Sequence, residues 1–210
     1  MKRWYAYGHN SYRRKGQINM RSSTQNRITK ETDIRLTLCL DGGDVSIDTG
    51  IGFFDHMLTA FAVHGGFGLQ LQVKGDLHVD CHHTIEDTGI VLGKAFQEAL
   101  QDKGGIARFG SFYVPMDEAL AFCSLDISGR PFLVFQAEFA QEQVGSYDSC
   151  MTEEFFRALA TNAGITMHVK LEYGKNTHHC VEAIYKAVAH AMRLACKQTG
   201  GEILSTKGVL

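Results

Sequence analysis

One short motif, His-His-x-x-Glu, occurs twice in this chain of 210 residues and constrains the fold more than any other feature. The first copy lies in CHHTIEDTGIVLGKAF and the second in THHCVEAIYKAVAHAM. Each copy begins a segment whose apolar residues recur at helical spacing. A motif this specific, repeated at the head of two similar segments, indicates an internally duplicated chain.

The match between the two halves extends upstream of the motif. A strand-like segment opened by glycine precedes each copy, GFGLQLQVKGD and GITMHVKLEYGK. An amphipathic segment with Phe-Phe and a closing glycine precedes each of these, FFDHMLTAFAVHG and EEFFRALATNAG. Further upstream, DIRLTLCLDGG resembles EALAFCSLDISG, and each is followed by a second strand, near residues 45–47 and 132–139.

Each half therefore has the predicted order β-β-α-β-α, which indicates the α+β class. We expect two duplicated half-domains, each a four-stranded sheet with helices on one face, although one strand of each sheet has no assigned segment. The predicted halves are residues 20–107 and 108–210 of one compact domain, joined near the KGG that ends a helix. Residues 1–19 are polar and basic, and we expect them to form a disordered extension.

The composition narrows the choice of partners. Apolar residues make up 44% of the chain, enough for a soluble globular core. A net charge of -2 provides no field that would attract nucleic acid or an anionic membrane, and no apolar run reaches membrane-spanning length. The six cysteines are scattered without a Cys-x-x-Cys pair, which predicts reduced thiols in a cytoplasmic protein.

The motif itself has the character of a metal-binding sequence. Residues four apart lie on one face of a helix, so His82 and Glu86 can bind one ion while His83 points toward a second. The second copy offers the same donors. Imidazole and carboxylate ligands without thiolate suit Mn, Fe or Zn better than Ca or Mg. A single copy would be explained equally well as a helix start with surface histidines, but the duplication favours metal binding.

The two Phe-Phe segments add one candidate ligand each, His56 and Glu154. Glu154 is the weaker of the two, because a glutamate near a helix start often serves only the helix dipole. If two ions share the candidates, each ion has about four protein ligands. An octahedral ion then keeps about two open positions, as metal ions in catalytic sites do. The eight candidate ligands are His56, His82, His83, Glu86, Glu154, His178, His179 and Glu182. The histidines outside the matched pattern, His64, His78, His168 and His190, are expected to be structural.

Basic residues could supply a phosphate-binding site. Arg108, Arg130 and the tail segment STKG are candidates, although each alone is explained as well by a solvated surface charge. Lys186 differs because it lies one turn beyond Glu182, on the predicted metal face of its helix. The tail is not a P-loop, since the preceding glycine of that motif is absent.

Several longer segments together resemble imidazoleglycerol-phosphate dehydratase, the family of a histidine-biosynthesis enzyme. They are FFDHML, HVDCHHTIEDTGIVLGKA, GIARFGSFYVPMDEAL, LDISGRPFLVF, GKNTHHCVEAIYKAVAHAMR and STKGVL, and the resemblance runs from about Arg27 to Leu210. The resemblance implies ribosomal S5 domain 2-like half-domains, two Mn²⁺ ions per active site, and trimers that assemble into a 24-mer. Glu154 departs from the family pattern, because many relatives have histidine there.

The same resemblance implies the reaction and the residue roles. Imidazole glycerol phosphate would lose water to give imidazole acetol phosphate, through an imidazolate or diazafulvene intermediate bound by two metal ions. Glu31 would be the general base. Catalytic roles would fall to Glu31, His56, His83 and Glu182, and substrate or phosphate binding to Glu31, Arg108, Arg130, Lys186, Ser205, Thr206 and Lys207.

Two other functions remain open from the residues alone. A di-metal hydrolase would use the open metal positions to hold a nucleophilic water. A metal-storing or structural cage would take up metal without turnover, but it would leave Glu31 and the two arginines without a role.

Overall fold

Both halves of the chain fold into the same β-β-β-α-β-α unit in the computed structural model, which describes residues 20–208. The predicted extension, residues 1–19, lies outside the described residues. The first unit contains β1 (Ser22–Ile28), β2 (Thr32–Cys39), β3 (Val45–Asp48), α1 (Gly52–Gly65), β4 (Gly68–Gly75) and α2 (His82–Ala99). The second contains β5 (Phe109–Met116), β6 (Ala119–Asp126), β7 (Phe132–Gln136), the short pair β8 (Gln143–Val144) and β9 (Tyr147–Asp148), α3 (Met151–Ala163), β10 (Thr166–Tyr173) and α4 (Thr177–Cys196).

The predicted four-stranded sheet in each half is confirmed, and the unassigned strand is the first of each. The strand orders are β1-β2-β4-β3 and β5-β6-β10-β7. In each sheet the last strand of the order pairs parallel to its neighbour, and the other pairs are antiparallel. The edge strands β1 and β5 lack a clear apolar alternation: SSTQNRI buries only Ser23, and Pro115 interrupts FGSFYVPM.

The central strands direct alternate side chains toward the helices. In β2, Ile34, Leu36 and Leu38 are fully buried while the residues between them are partly exposed. In β6, Ala121 and Cys123 occupy the same buried face. Because side chains alternate across a strand, one face of each sheet covers the helices and the other faces away from them.

The four helices lie between the two sheets. Each helix of one half packs in parallel against a helix of the other half. Helix α2 packs on α3 and α1 packs on α4. Gly89 of α2 approaches Phe155 of α3, and Gly93, one turn later, approaches Leu159. Likewise α1 meets α4 first at His56 and His178 and later at His64 and His190. All four helices therefore begin at one end of the molecule.

Close packing between the halves requires the two glycines of α2. A Cβ added at Gly89 would lie 2.6 Å from the carbonyl oxygen of Phe155, and one at Gly93 would lie 2.7 Å from that of Leu159. Backbone atoms cannot move aside as a flexible side chain can. Tyr147 and Tyr185 fill the space near the helix starts, with their hydroxyls 3.4 Å apart. Within residues 20–208 no helix is long and apolar enough to cross a bilayer.

We expect Gly93→Ala to destabilise the fold by about 1–3 kcal/mol, because the methyl group would push α2 away from α3. The measurement is urea unfolding at one fixed protein concentration. Gly52→Ala is the control, since a Cβ at this helix-end glycine meets no atom within 4 Å. Equal unfolding midpoints for the two variants would show that the contact between α2 and α3 tolerates the added methyl group.

Candidate metal centre and active site

The eight predicted ligands all lie at the end of the molecule where the helices begin. This follows from the parallel packing, because each ligand belongs to the first turn or first two turns of its helix. His56 comes from α1, Glu154 from α3, and the two His-His-x-x-Glu motifs open α2 and α4. The fold thus brings together at one surface residues that lie more than half the chain apart in sequence, such as His56 and Glu182.

The tightest group of ligands combines residues from both halves. His56, His178 and Glu182 each offer one ligand atom, and these atoms lie within 4.8 Å of one another. Nε2 of His178 is 3.3 Å from Oε2 of Glu182, and Nε2 of His56 is 3.6 Å from the same oxygen. The side chain of Asn176 accepts a hydrogen bond from the His178 backbone N–H and begins α4 at this position. Two imidazoles and one carboxylate at this separation can share one ion.

Glu182 is held ionised within this group. Burial raises the pKa of its carboxyl, but Lys186, with help from His56 and His178, more than offsets this, so that the pKa lies below its usual value. Nζ of Lys186 is 2.7 Å from Oε1 of Glu182 and 3.6 Å from the sulfur of Met116. Lys186 therefore lies on the metal face, as its spacing predicts, and orients one oxygen of Glu182 while leaving the other near the histidines.

The first motif forms a second, more open group. Nε2 of His82 lies 3.4 Å from Oε2 of Glu86, and both side chains are nearly half exposed. A groove of about 450 Å³ is lined by His82, Glu154 and the rings of Phe135 and Phe139. Glu154 also lies 3.5 Å from Nε of Arg157. The halves therefore exchange partners, because His56 joins the second motif and Glu154 lies beside the first.

The middle histidine of each motif points away from these groups and contacts a carboxylate through Nδ1. Nδ1 of His83 is 3.0 Å from Oδ2 of Asp76, and Nδ1 of His179 is 2.8 Å from Oε2 of Glu118. The hydrogen bond to Asp76 raises the pKa of His83, and the hydrogen bond to Glu118 raises that of His179. The same contact with His179, together with backbone N–H donors, lowers the pKa of Glu118 to about 2.

Glu31 lies beside His83 in the turn between β1 and β2. Its Oε1 is 3.8 Å from Nε2 of His83. The turn is held by Thr29, whose hydroxyl accepts a hydrogen bond from the Glu31 backbone N–H, and by the Asp76 backbone N–H, which donates to the Glu31 carbonyl. The Glu31 side chain is 53% exposed, so it is available to a molecule that approaches the ligand end.

The predicted phosphate-binding residues other than Lys186 gather at the opposite end. Arg108 donates to both carboxylate oxygens of Asp126, with Nε at 2.7 Å and Nη2 at 3.1 Å. Nη2 of Arg130 is 3.7 Å from the same carboxylate, and Arg130 is 65% exposed. Arg108 also donates to the carbonyl of Leu204, which leads directly into Ser205, Thr206 and Lys207. Asp126 therefore holds the two guanidiniums together, and Arg108 connects them to the tail, so that all three form one basic group.

This basic group and the metal ligands are separated by the length of a helix. The backbone N–H of Arg108 donates to the carbonyl of Ala195, in the last turn of α4, whereas His178 lies in the first turn. At 1.5 Å per residue, α4 spans about 30 Å. The imidazole glycerol phosphate that the resemblance implies as substrate is much shorter than this separation.

Three acidic residues of these sites were not among the sequence candidates. They are Asp76, Glu118 and Asp126. The repeat contains a signal for Glu118, which directly precedes β6 just as Glu31 directly precedes β2. Asp126 also had a signal, since it lies in the matched Leu-Asp segments and four residues before Arg130. Asp76 has no such counterpart, because Lys175 follows the glycine that ends the equivalent strand.

Comparisons with known proteins all lead to one family. A family model described as imidazoleglycerol-phosphate dehydratase matches residues 49–192. Proteins of that name from Bacillus thuringiensis (strain Al Hakam) and Bacillus cereus (strain B4264) are each 56% identical, over 91% of this chain and their own full length. The crystal structure of imidazoleglycerol-phosphate dehydratase from Staphylococcus aureus subsp. aureus N315 is 42% identical with a TM-score of 0.78, covering 85% of this chain and 99% of that one. The enzyme from Pyrococcus furiosus, in complex with (S)-C348, is 39% identical with a TM-score of 0.78, covering 89% and 100%.

We expect His178→Ala to weaken Mn²⁺ binding by at least about 100-fold, because loss of a direct ligand should exceed the loss known for residues that only orient one. The affinity is measured by competition with a chelator of known strength. His168→Ala is the control, because His168 is exposed on the outer face of β10. Unchanged affinity in His178→Ala would remove the group of His56, His178 and Glu182 as a metal site.

Proposed function

The chain belongs to the imidazoleglycerol-phosphate dehydratase family, hydro-lyases of histidine biosynthesis, and from this premise we propose that it converts imidazole glycerol phosphate to imidazole acetol phosphate and water with two Mn²⁺ ions per active site. The single observation that carries the metal part of the proposal is the convergence of eight imidazole and carboxylate side chains at the helix starts. We propose a cytoplasmic location, which agrees with six cysteines that are all free.

The donor set supports a divalent first-row transition-metal ion such as Mn²⁺. It contains nitrogen and oxygen atoms only, and one carboxylate, Glu182, is kept ionised by Lys186. His56, His178 and Glu182 would hold one ion, and His82, Glu86 and Glu154 would contribute to the other. His83 and His179 would complete sites on other copies of the chain. When bound, the ions would act as Lewis acids on the imidazole of the substrate and so promote loss of its neighbouring hydroxyl.

Glu31 is proposed as the general base that takes the proton from the substrate carbon. Its position supports this role, because it lies beside His83 and projects from a turn fixed by hydrogen bonds. A general base must first lie within reach of the proton that it takes, and only then does its pKa matter. The exposure of Glu31 in one chain also means that another copy must cover it if water is to be excluded from the reacting carbon.

The phosphate of the substrate is proposed to bind Arg108, Arg130 and the tail segment of a neighbouring copy. The two guanidiniums offer several donors to phosphate oxygens, and Asp126 keeps them together. The separation of this basic group from the metal ligands, about one 20-residue helix, supports an active site shared between copies. We therefore propose a homo-oligomer, and the family resemblance supports trimers assembled into a 24-mer.

The proposed reaction is tested by incubating the Mn²⁺-loaded protein with imidazole glycerol phosphate and following the enolisable ketone product. We expect ketone formation that is lost after treatment with EDTA and restored by added Mn²⁺. Release of inorganic phosphate without ketone would instead favour a di-metal hydrolase. Uptake of Mn²⁺ with neither product would favour metal storage.

For Glu31→Gln we expect turnover to fall by about 100-fold to 10,000-fold, because the amide cannot accept the proton. Mn²⁺ affinity and the size of the assembly should stay unchanged, since Glu31 makes no hydrogen bond to His83 at 3.8 Å. Asp44→Asn, an exposed change near β3, is the control. Full turnover in Glu31→Gln would remove it as the base.

Mixing two inactive variants tests the shared site directly. We expect His178→Ala and Arg130→Gln each to lose activity, one through the metal and one through phosphate binding. If metal ligands and arginines come from different copies, co-assembly at equal amounts should restore activity in at most about a quarter of the sites. Activity is measured after unfolding and refolding the mixture together. If verified mixed assemblies recover no activity, the metal ligands and the arginines of each active site would have to come from the same chain.

A further inference from the structure

The two histidines that point away from the main ligand groups are each held between two carboxylates. His83 has Asp76 at Nδ1 and Glu31 at 3.8 Å from Nε2. His179 has Glu118 at Nδ1 and Asp117 at 3.6 Å from Nε2. In both cases the Nδ1 contact has hydrogen-bond length, and the Nε2 distance is too long for one.

The carboxylates at Nδ1 come from positions that do not correspond in the repeat. Glu118 corresponds to Glu31, because each directly precedes the second strand of its half. Asp76 corresponds to Lys175, because each follows the glycine after the fourth strand. The duplication therefore did not place a carboxylate at Nδ1 by simple copying. Two different residues meet the same requirement, which indicates that the contact itself is needed.

The Glu118 carboxylate is fixed by backbone groups, and Asp76 is anchored through its own backbone. Oε1 of Glu118 accepts hydrogen bonds from the backbone N–H groups of Asn176, at 2.7 Å, and Lys175, at 3.2 Å. The second oxygen of Glu118 is then directed at His179. Asp76 approaches Nδ1 of His83 with both oxygens, at 3.0 Å and 3.3 Å, and its backbone N–H is bound to the turn that contains Glu31. Neither carboxylate is free to turn away without breaking a backbone contact or its contact with the ring.

The other two motif histidines are held differently. Nε2 of His82 and of His178 faces the glutamate four residues later. In residues 20–208, no carboxylate forms a hydrogen bond with Nδ1 of either ring. The carboxylate contact at Nδ1 thus belongs to the two rings that point away from the ligands of their own chain.

We propose that Asp76 and Glu118 are positioning residues for the metal ligands His83 and His179. An ionised carboxylate can only accept, so Nδ1 carries the proton and donates, and Nε2 is left with a lone pair for the metal ion. The contact also fixes the plane of the ring, so that Nε2 keeps one direction, toward Glu31 in His83 and toward Asp117 in His179. This inference rests on the proposed metal site and adds the residues that orient two of its ligands.

The test measures Mn²⁺ affinity and the number of ions bound per chain in Asp76→Ala, Asp76→Asn, Glu118→Ala and Glu118→Gln. We expect the alanine variants to bind the affected ion about 10-fold to 100-fold more weakly. The amide variants should retain more affinity than the alanine variants, because the amide oxygen still accepts from Nδ1–H. At saturating Mn²⁺, turnover should approach that of the unsubstituted chain, in contrast to Glu31→Gln, which should lose turnover and keep its affinity.

Asp80→Asn is the matched control for loss of negative charge near His83. Asp80 lies two residues before the motif and accepts a hydrogen bond from the His82 backbone N–H, but it does not contact the ring of His83. An asparagine at this position can accept the same bond. We expect little change in Mn²⁺ affinity in this variant.

Several results would overturn the inference. One is unchanged affinity in both alanine variants while the unsubstituted chain binds Mn²⁺. Another is equal loss in Asp80→Asn and Asp76→Ala, which would indicate general electrostatics instead of orientation. Failure of the unsubstituted chain to bind Mn²⁺ would be a different outcome, because it would remove the proposed metal site and with it this role.

Discussion

The parallel packing of helices from the two halves is the contact on which the rest of the structure depends. Gly89 and Gly93 allow α2 to lie directly on the backbone of α3, and α1 meets α4 with the same polarity. Because the helices run parallel, their first turns share one end of the molecule. An antiparallel pairing would have buried the same apolar surface but separated the ligands by the length of a helix.

Because the helices run parallel, the candidate metal ligands and the basic group lie at opposite ends of the folded molecule. The ligand end carries the imidazoles, their carboxylates and Glu31. At the other end, Asp126 contacts Arg108 and Arg130, and Arg108 contacts the tail. With the proposed residue roles, neither end is a complete site for a small phosphorylated imidazole. Assembly is therefore part of the proposed catalytic design, since only a neighbouring copy can bring Arg108 and Arg130 to the metal ligands.

The fold could be predicted well from the sequence where the signal was local and repeated. The alternation of apolar residues in β2 and β6 and the glycine-terminated Phe-Phe helices were sufficient for a duplicated α+β chain of two four-stranded sheets. The first strand of each sheet was missed, because an edge strand buries little and so needs no regular apolar pattern. Its place is set by pairing with β2 or β6 and not by its own side chains.

The sequence by itself determined the relations within one helix. His82 with Glu86, and Lys186 with Glu182, are four residues apart, and helical geometry alone puts each pair on one face. Only the tertiary structure decided which half supplies the remaining partner: His56 joins the second motif, and Glu154 lies beside the first. It also decided that Asp76 contacts His83 and that Glu118 contacts His179, although Asp76 and Glu118 do not occupy corresponding positions of the repeat. The physical reason is that helix periodicity acts over a few residues, whereas the meeting of distant segments depends on how α1 and α4, and α2 and α3, pack across the halves.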